Sequence, residues 1–140
     1  MRHRLAAMLF PLFMLIAAPA APADQVDPRR LAAELAADAD VVRSLRQNGD
    51  VPTIVRPVDV RFVGIADRVA KLVDAAPNLG WRVIQTVAQQ DGTVALDLQR
   101  DQSTEGPALR ALTEEALRTE AMFGVRYDGW GTAAESAPSQ

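Results

Sequence analysis

Tyr127, Asp128 and Trp130 set two aromatic rings around a carboxylate near the C-terminus. Such a set can anchor a protein partner, because Trp and Tyr bury large area while keeping a polar handle. It also has a structural use, in which Asp128-Gly129 makes a turn, the carboxylate caps nearby N–H groups and both rings pack under the sheet. Asp59 and Arg61, with Asp97 and Gln99, form a second set that alternation places on one face of a strand pair. Opposed Asp and Arg side chains there make a solvated ion pair worth ~0.2–1 kcal/mol, or a face that meets a partner. The partner-binding candidates are therefore Tyr127, Asp128, Trp130, Asp59 and Arg61. The strand-pair residues include no aromatic on which a base could stack, which argues against nucleic acid as the partner.

Catalytic sets are harder to draw. His3 is the only histidine, and the chain has no cysteine. Once a leader containing His3 is removed, Ser-His-Asp and Cys-His triads, imidazole bases and histidine-ligated metals are all excluded. Lys71, the only lysine, falls on a helix and Ser103 in a loop, with no motif around either. Paired carboxylates can hydrolyse glycosides without histidine, but nothing selects a pair. Asp38 and Asp40 face different ways on one helix, and Glu114 and Glu115 lie on a solvated helix surface. There is no calcium loop and no glycine-rich phosphate loop. The reading is of a non-enzyme with no catalytic residue, metal or cofactor; a histidine-free carboxylate hydrolase is the enzymatic alternative.

The start of the chain explains why His3 is lost. Arg2, His3 and Arg4 precede an uncharged run from Leu5 to Ala18, followed by small residues, the order of a secretory signal. Ala21-Pro22-Ala23 offers an A-x-A cleavage site before Asp24. The apolar run is too short, and too interrupted by Pro11, for a membrane-spanning helix of about 20 residues. Cleavage after Ala23 leaves 117 of 140 residues, one domain in size, and removing Arg2 and Arg4 leaves 13 basic against 18 acidic residues, a net charge of −5. An acidic surface is wrong for releasing counterions from a nucleic acid. A periplasmic or secreted protein, free of the membrane after cleavage, is expected.

The elements that must hold these residues can be read from periodicity. Asp27-Pro28 opens a helix carrying Leu31, Leu35, Val42 and Leu45 that stops at Asn48-Gly49, giving Pro28 to about Gln47. Ile54, Val58, Val60 and Phe62 alternate with Val55, Asp59, Arg61 and Val63 in a strand ended by Gly64, with Pro57 placing it at an edge or at a bulge. Ala66 to Ala76 is helical and closes at Pro77-Asn78-Leu79-Gly80. Trp81 to Gln89 alternates, with Trp81, Val83 and Val87 on one side. Asp91-Gly92 then turns a primed hairpin into a strand from Thr93 to Leu98. Pro107 opens a helix with Leu109, Leu112, Ala116, Leu117 and Phe123 on one stripe, stopped by Gly124. A short aromatic strand over Val125 to Thr132 comes last. The order after the first helix is β-α-β-β-α-β. An α+β, ferredoxin-like sandwich is expected, a four-stranded antiparallel sheet with two helices on one face, plus the extra N-terminal helix. The boundaries are 1–23 for the signal, 24–37 for the start of the first helix, 38–133 for the domain and 134–140 for a disordered tail.

Four separated stretches, Leu45-Arg46-Gln47-Asn48-Gly49-Asp50, Arg56-Pro57-Val58-Asp59-Val60, Leu79-Gly80-Trp81-Arg82-Val83 and Tyr127-Asp128-Gly129-Trp130-Gly131-Thr132, resemble the RraB family, regulators of ribonuclease E activity. The resemblance runs from about Asp38 to Ala133 and implies a small non-enzymatic protein that binds or inhibits a protein partner. In the founding type that partner is cytoplasmic ribonuclease E. Here Asp50 is followed by Val51 where the family tends to a second acid, and Arg61 stands where an aromatic is common. An exported member would meet a different partner. A cytoplasmic regulator or inhibitor of ribonuclease E is the alternative if the leader stays uncleaved.

Overall fold

The computed structural model of this chain describes residues 25–138. The expected leader, its expected cleavage site after Ala23 and the last two residues lie outside that range. Helix α1 (Pro28–Gln47) begins where the Asp27 carboxylate accepts the Arg29 N–H at 2.9 Å. Pro28 costs nothing in a first turn that has no use for its missing N–H. Then come β1 (Arg56–Gly64), α2 (Ala66–Ala75) with a 3-10 turn over Ala76–Leu79, β2 (Arg82–Ala88), β3 (Val94–Gln102), α3 (Gly106–Phe123) and β4 (Arg126–Gly131). The strands form one antiparallel sheet in the order β2-β3-β1-β4. This is the ferredoxin-like βαββαβ arrangement preceded by a helix.

The core lies between the sheet and the helices. Val58, Val60 and Phe62 of β1 and Leu96 and Leu98 of β3 meet Val69 and Leu72 of α2 and Leu112 and Ala116 of α3, each at most 2% exposed. Each large aliphatic side chain sealed in this way contributes about 1.5–3 kcal/mol. Helix α1 packs on α3 through its Leu31–Asp38–Val42–Leu45 stripe. Trp81, buried at the start of β2, has the Arg100 guanidinium 4.3 Å above its ring.

Several local expectations change. β1 starts at Arg56 and is central, although it contains Pro57. Within an antiparallel ladder a residue's N–H and C=O leave from the same side. The Pro57 carbonyl accepts the Thr132 hydroxyl at 2.8 Å, beyond the last β4 pairing at Asp59–Gly131, so the missing N–H falls where no ladder bond is due. β3 runs on to Gln102, four residues past Leu98, because every residue of β1 finds a partner on it. Val83 and Val87 do not share a side. Ile84 is an extra residue between the Val83–Leu98 and Gln85–Asp97 pairs, and this bulge sends Val83 to the helix face and Val87 to the open face. The hairpin after β2 has a positive φ only at Gly92 and is therefore not a primed turn, which needs one at its first central residue. Asp91 instead accepts the Thr93 N–H at 3.0 Å.

The expected loose tail is docked as far as Ser136. The Val51 N–H donates to the Glu135 carbonyl at 2.7 Å, the Glu135 N–H donates to Asp50 at 2.9 Å, and Ala134 packs on the core. The Asp50 side chain has no solvent exposure. It also accepts from Arg46 at 2.5 Å, from the Thr104 hydroxyl at 2.7 Å and from Arg56. Burial works to raise the Asp50 pKa, but the Glu135 N–H, the Thr104 hydroxyl and Arg56 together outweigh it and hold the carboxyl down at about 2. One carboxylate thus ties the end of α1, the start of β1, the loop before α3 and the C-terminal segment.

Candidate functional site

Because β1 and β3 occupy the middle of the sheet, their outward residues form the centre of its uncovered face. Asp59 stands opposite Gln99, and Arg61 opposite Asp97. Arg61 grips Asp97 with a fork, Nε to Oδ1 at 2.7 Å and Nη2 to Oδ2 at 3.0 Å. Gln85 of β2 donates to the same carboxylate at 2.8 Å. Hydrogen bonding to Arg61 holds the Asp97 carboxyl below the usual carboxylate range, and the same bond raises the Arg61 pKa. Alongside, Gln99 donates to Asp59 at 2.9 Å while accepting from Arg82 at 2.9 Å. Arg61 is 44% exposed yet fixed in place, so the pair contributes little to stability while displaying an oriented guanidinium.

β4 adds the third carboxylate through an irregularity. Trp130 pairs with Val60 and Tyr127 with Phe62, so Asp128 and Gly129 together oppose Arg61, with Gly129 at φ +92°. Residues three apart on a regular strand face opposite ways. The bulge cancels this, turning both rings inward and leaving Asp128 outside, 3.8 Å from the Arg126 guanidinium. Asp128-Gly129 is therefore a bulge within a strand and not a turn. Asp59, Arg61, Asp97 and Asp128 line one shallow depression of about 590 Å³ on the open face.

Tyr127 and Trp130 stand on the other side of the sheet. Tyr127 is 2% exposed, its ring 5.6 Å from that of Phe62. Its hydroxyl has no hydrogen-bond partner among the described residues. Burial, then the negative charges of Asp38 and Glu34, push its pKa well above the ordinary tyrosine range. Trp130 is 9% exposed and donates its indole N–H to Asp38 at 2.8 Å. The same carboxylate accepts from the Thr113 hydroxyl at 2.6 Å. Arg30 of α1 reaches Glu120 at 3.0 Å and the Tyr127 carbonyl at 3.1 Å. The five candidates thus divide into Asp59, Arg61 and Asp128 on the open face, and Tyr127 and Trp130 beneath α1 and α3.

From the sequence, Asp38 is weighed only beside Asp40 as a possible carboxylate pair and not as a core residue, yet its position carries a signal. It completes the series Leu31, Leu35, Val42, Leu45 at helical spacing, so a carboxylate occupies a core-facing position. Among the described residues, no three acidic side chains come together in a way that could hold a metal ion.

A family model described as Regulator of ribonuclease activity B, RraB, matches residues 35–132. No curated protein matches the chain. The match spans α1 from Leu35 through β4 and Thr132, and so takes in both faces of the site, the buried Asp38–Trp130 contact and the outward Asp59, Arg61 and Asp128. On this match the chain belongs to the RraB family, regulators of ribonuclease activity.

Proposed function

We propose that this chain is an exported RraB-family protein that regulates by docking a protein partner on the open face of its sheet. The supporting observation is the convergence of Asp59, Arg61 and Asp128, drawn from two strands far apart in sequence, around one depression in which Asp97 holds the Arg61 guanidinium ready. A guanidinium already oriented loses little freedom on binding, the property that makes arginine a common anchor at interfaces. Export rests on the Arg2–Ala23 leader pattern. A carboxylate hydrolase fits less well. Its general acid needs a raised pKa, and the best-placed carboxyl in the depression, Asp97, is lowered.

The family match favours a second reading, in which the leader is retained and the partner is a cytoplasmic ribonuclease. Fractionating cells and sequencing the N-terminus separates the two. Recovery outside the cytoplasm with Asp24 first supports export; intact Met1 in the cytosol supports the ribonuclease. Affinity capture from the matching fraction then tests the surface. Arg61→Ala with Asp128→Ala should abolish partner recovery, and unchanged recovery by this folded variant would remove the open face from consideration.

A further inference from the structure

Asn48-Gly49, which closes α1, is the only asparagine–glycine step in the chain. Both residues are exposed. An asparagine side chain can be attacked by the backbone nitrogen of the residue that follows it, and glycine hinders that approach least and turns most freely. The folded chain holds the two groups apart. The Gly49 N–H donates to the Arg46 carbonyl at 3.1 Å, and the Asn48 side-chain amide donates to the Ser44 carbonyl at 2.8 Å. A ψ of 16° at Asn48 turns the Gly49 nitrogen toward the Asn48 backbone nitrogen and away from the side chain. Reaction therefore requires the peptide unit between them to rotate, which moves the residues after it. Those residues are pinned by the C-terminal segment. The Ser136 hydroxyl donates to the Gly49 carbonyl at 3.4 Å, the Glu135 N–H to Asp50 at 2.9 Å, and the Val51 N–H to the Glu135 carbonyl at 2.7 Å. The pinning segment has no helix or strand among its described residues, so it belongs to the least stable part of the molecule.

We propose that Asn48 is a modification site held shut by the docked C-terminal segment, and that it deamidates when residues 134–136 lift away. Hydroxide takes the proton of the freed Gly49 N–H, and the nitrogen forms a bond to Cγ of Asn48. The bond from Cγ to the side-chain nitrogen breaks, and that nitrogen takes a proton from water and leaves as ammonia. One water then opens the five-membered imide at either carbonyl, giving aspartate or isoaspartate. The product differs where the difference matters. The donor to Ser44 is lost, and a carboxylate stands at the C-terminal end of α1, where the helix dipole is already negative and Asp50 lies two residues on. Isoaspartate also lengthens the backbone by one carbon just before Asp50, the residue to which the segment docks. A reversible opening is in this way recorded in a covalent bond.

The full chain as purified is held at mildly alkaline pH and digested at intervals. The peptide containing Asn48 should gain the mass difference between an amide and a carboxyl and split into aspartyl and isoaspartyl forms. Glu135→Pro removes the N–H that Asp50 accepts and should speed the conversion at least about fivefold, because the open state becomes more populated. The chain unfolded in urea should convert faster than either folded protein. A parent that converts as fast as the unfolded chain, a Glu135→Pro variant no faster than the parent, or an Asn48 peptide that stays unchanged in both folded proteins overturns the proposal. Should Glu135→Pro fail to fold, the parent decides in urea below its unfolding transition. Conversion through a local opening that exposes little surface is nearly independent of urea there, whereas a rate that climbs in step with global unfolding overturns the proposal.

Discussion

The Trp130 indole N–H meets the Asp38 carboxylate at 2.8 Å, joining two residues 92 positions apart and fastening α1 to the last strand. Thr113 of α3 supplies a second donor at 2.6 Å. The carboxylate is 8% exposed and serves as the acceptor for two neutral donors sealed from water.

Replacing that acceptor should therefore cost more than one hydrogen bond. Asp38→Ala orphans a buried N–H and a buried hydroxyl, and a loss of about 1–3 kcal/mol is expected for each donor left unmet. Asp38→Asn keeps an acceptor and should cost less. Urea unfolding of both variants checks the order, and equal losses would mean that the one oxygen Asn retains recovers nothing.

Asp50 makes stability depend on acid. Its carboxyl is held down at about 2 in the folded chain, below the ordinary value of about 3.9 in an unfolded one. The unfolded state therefore takes up a proton first as pH falls. The stabilisation is complete above the unfolded value and drains away as pH drops from about 4 to about 2. Urea midpoints measured across that range should fall, and Asp50→Asn should flatten the fall. At neutral pH, Asp50→Ala strands the buried Arg56 guanidinium and should cost about 3–5 kcal/mol.

Ending the chain after Thr132 should destabilise it, although the described residues of the segment removed, 133–138, have no secondary structure of their own. The cut deletes the Glu135 N–H that Asp50 accepts, the carbonyl that Val51 bonds and the Ala134 packing. A loss of about 1–3 kcal/mol is expected. Ending after Ser136 instead should leave the melting temperature unchanged.

Gly129→Ala tests the bulge. A methyl group there meets nothing within 4 Å, so the whole cost lies in holding a φ of +92°. About 1–2 kcal/mol should be lost on unfolding in denaturant. A neutral result would show that the strand can re-register around Asp128.

Much of the frame was legible because its signals are local. Asp27-Pro28 and Asn48-Gly49 bracket α1 at the residues where it begins and ends, and the alternation from Val58 to Phe62 survives as the buried face of β1. The misread features depend on partners distant in sequence. Nothing between Trp81 and Gln89 announces the extra residue at Ile84, which is defined only against β3. Tyr127 and Trp130 share a face because Asp128-Gly129 opposes the single residue Arg61, a relation set by β1. The glycine in that strand was a usable hint of a bulge. The C-terminal segment was invisible because its docking uses backbone groups, and Glu135 would bond Asp50 in the same way with almost any side chain.

The contacts that close this molecule join its two ends: Arg30 to the Tyr127 carbonyl, Asp38 to Trp130, Asp50 to Glu135. None can form while the last dozen or so residues are still inside a ribosome, and the entropy of gathering so long a loop is met only once those residues arrive. The nascent chain therefore emerges N-terminus first without a finished core. Until that segment arrives, Asp38 and Asp50 each lack a donor that closes the fold.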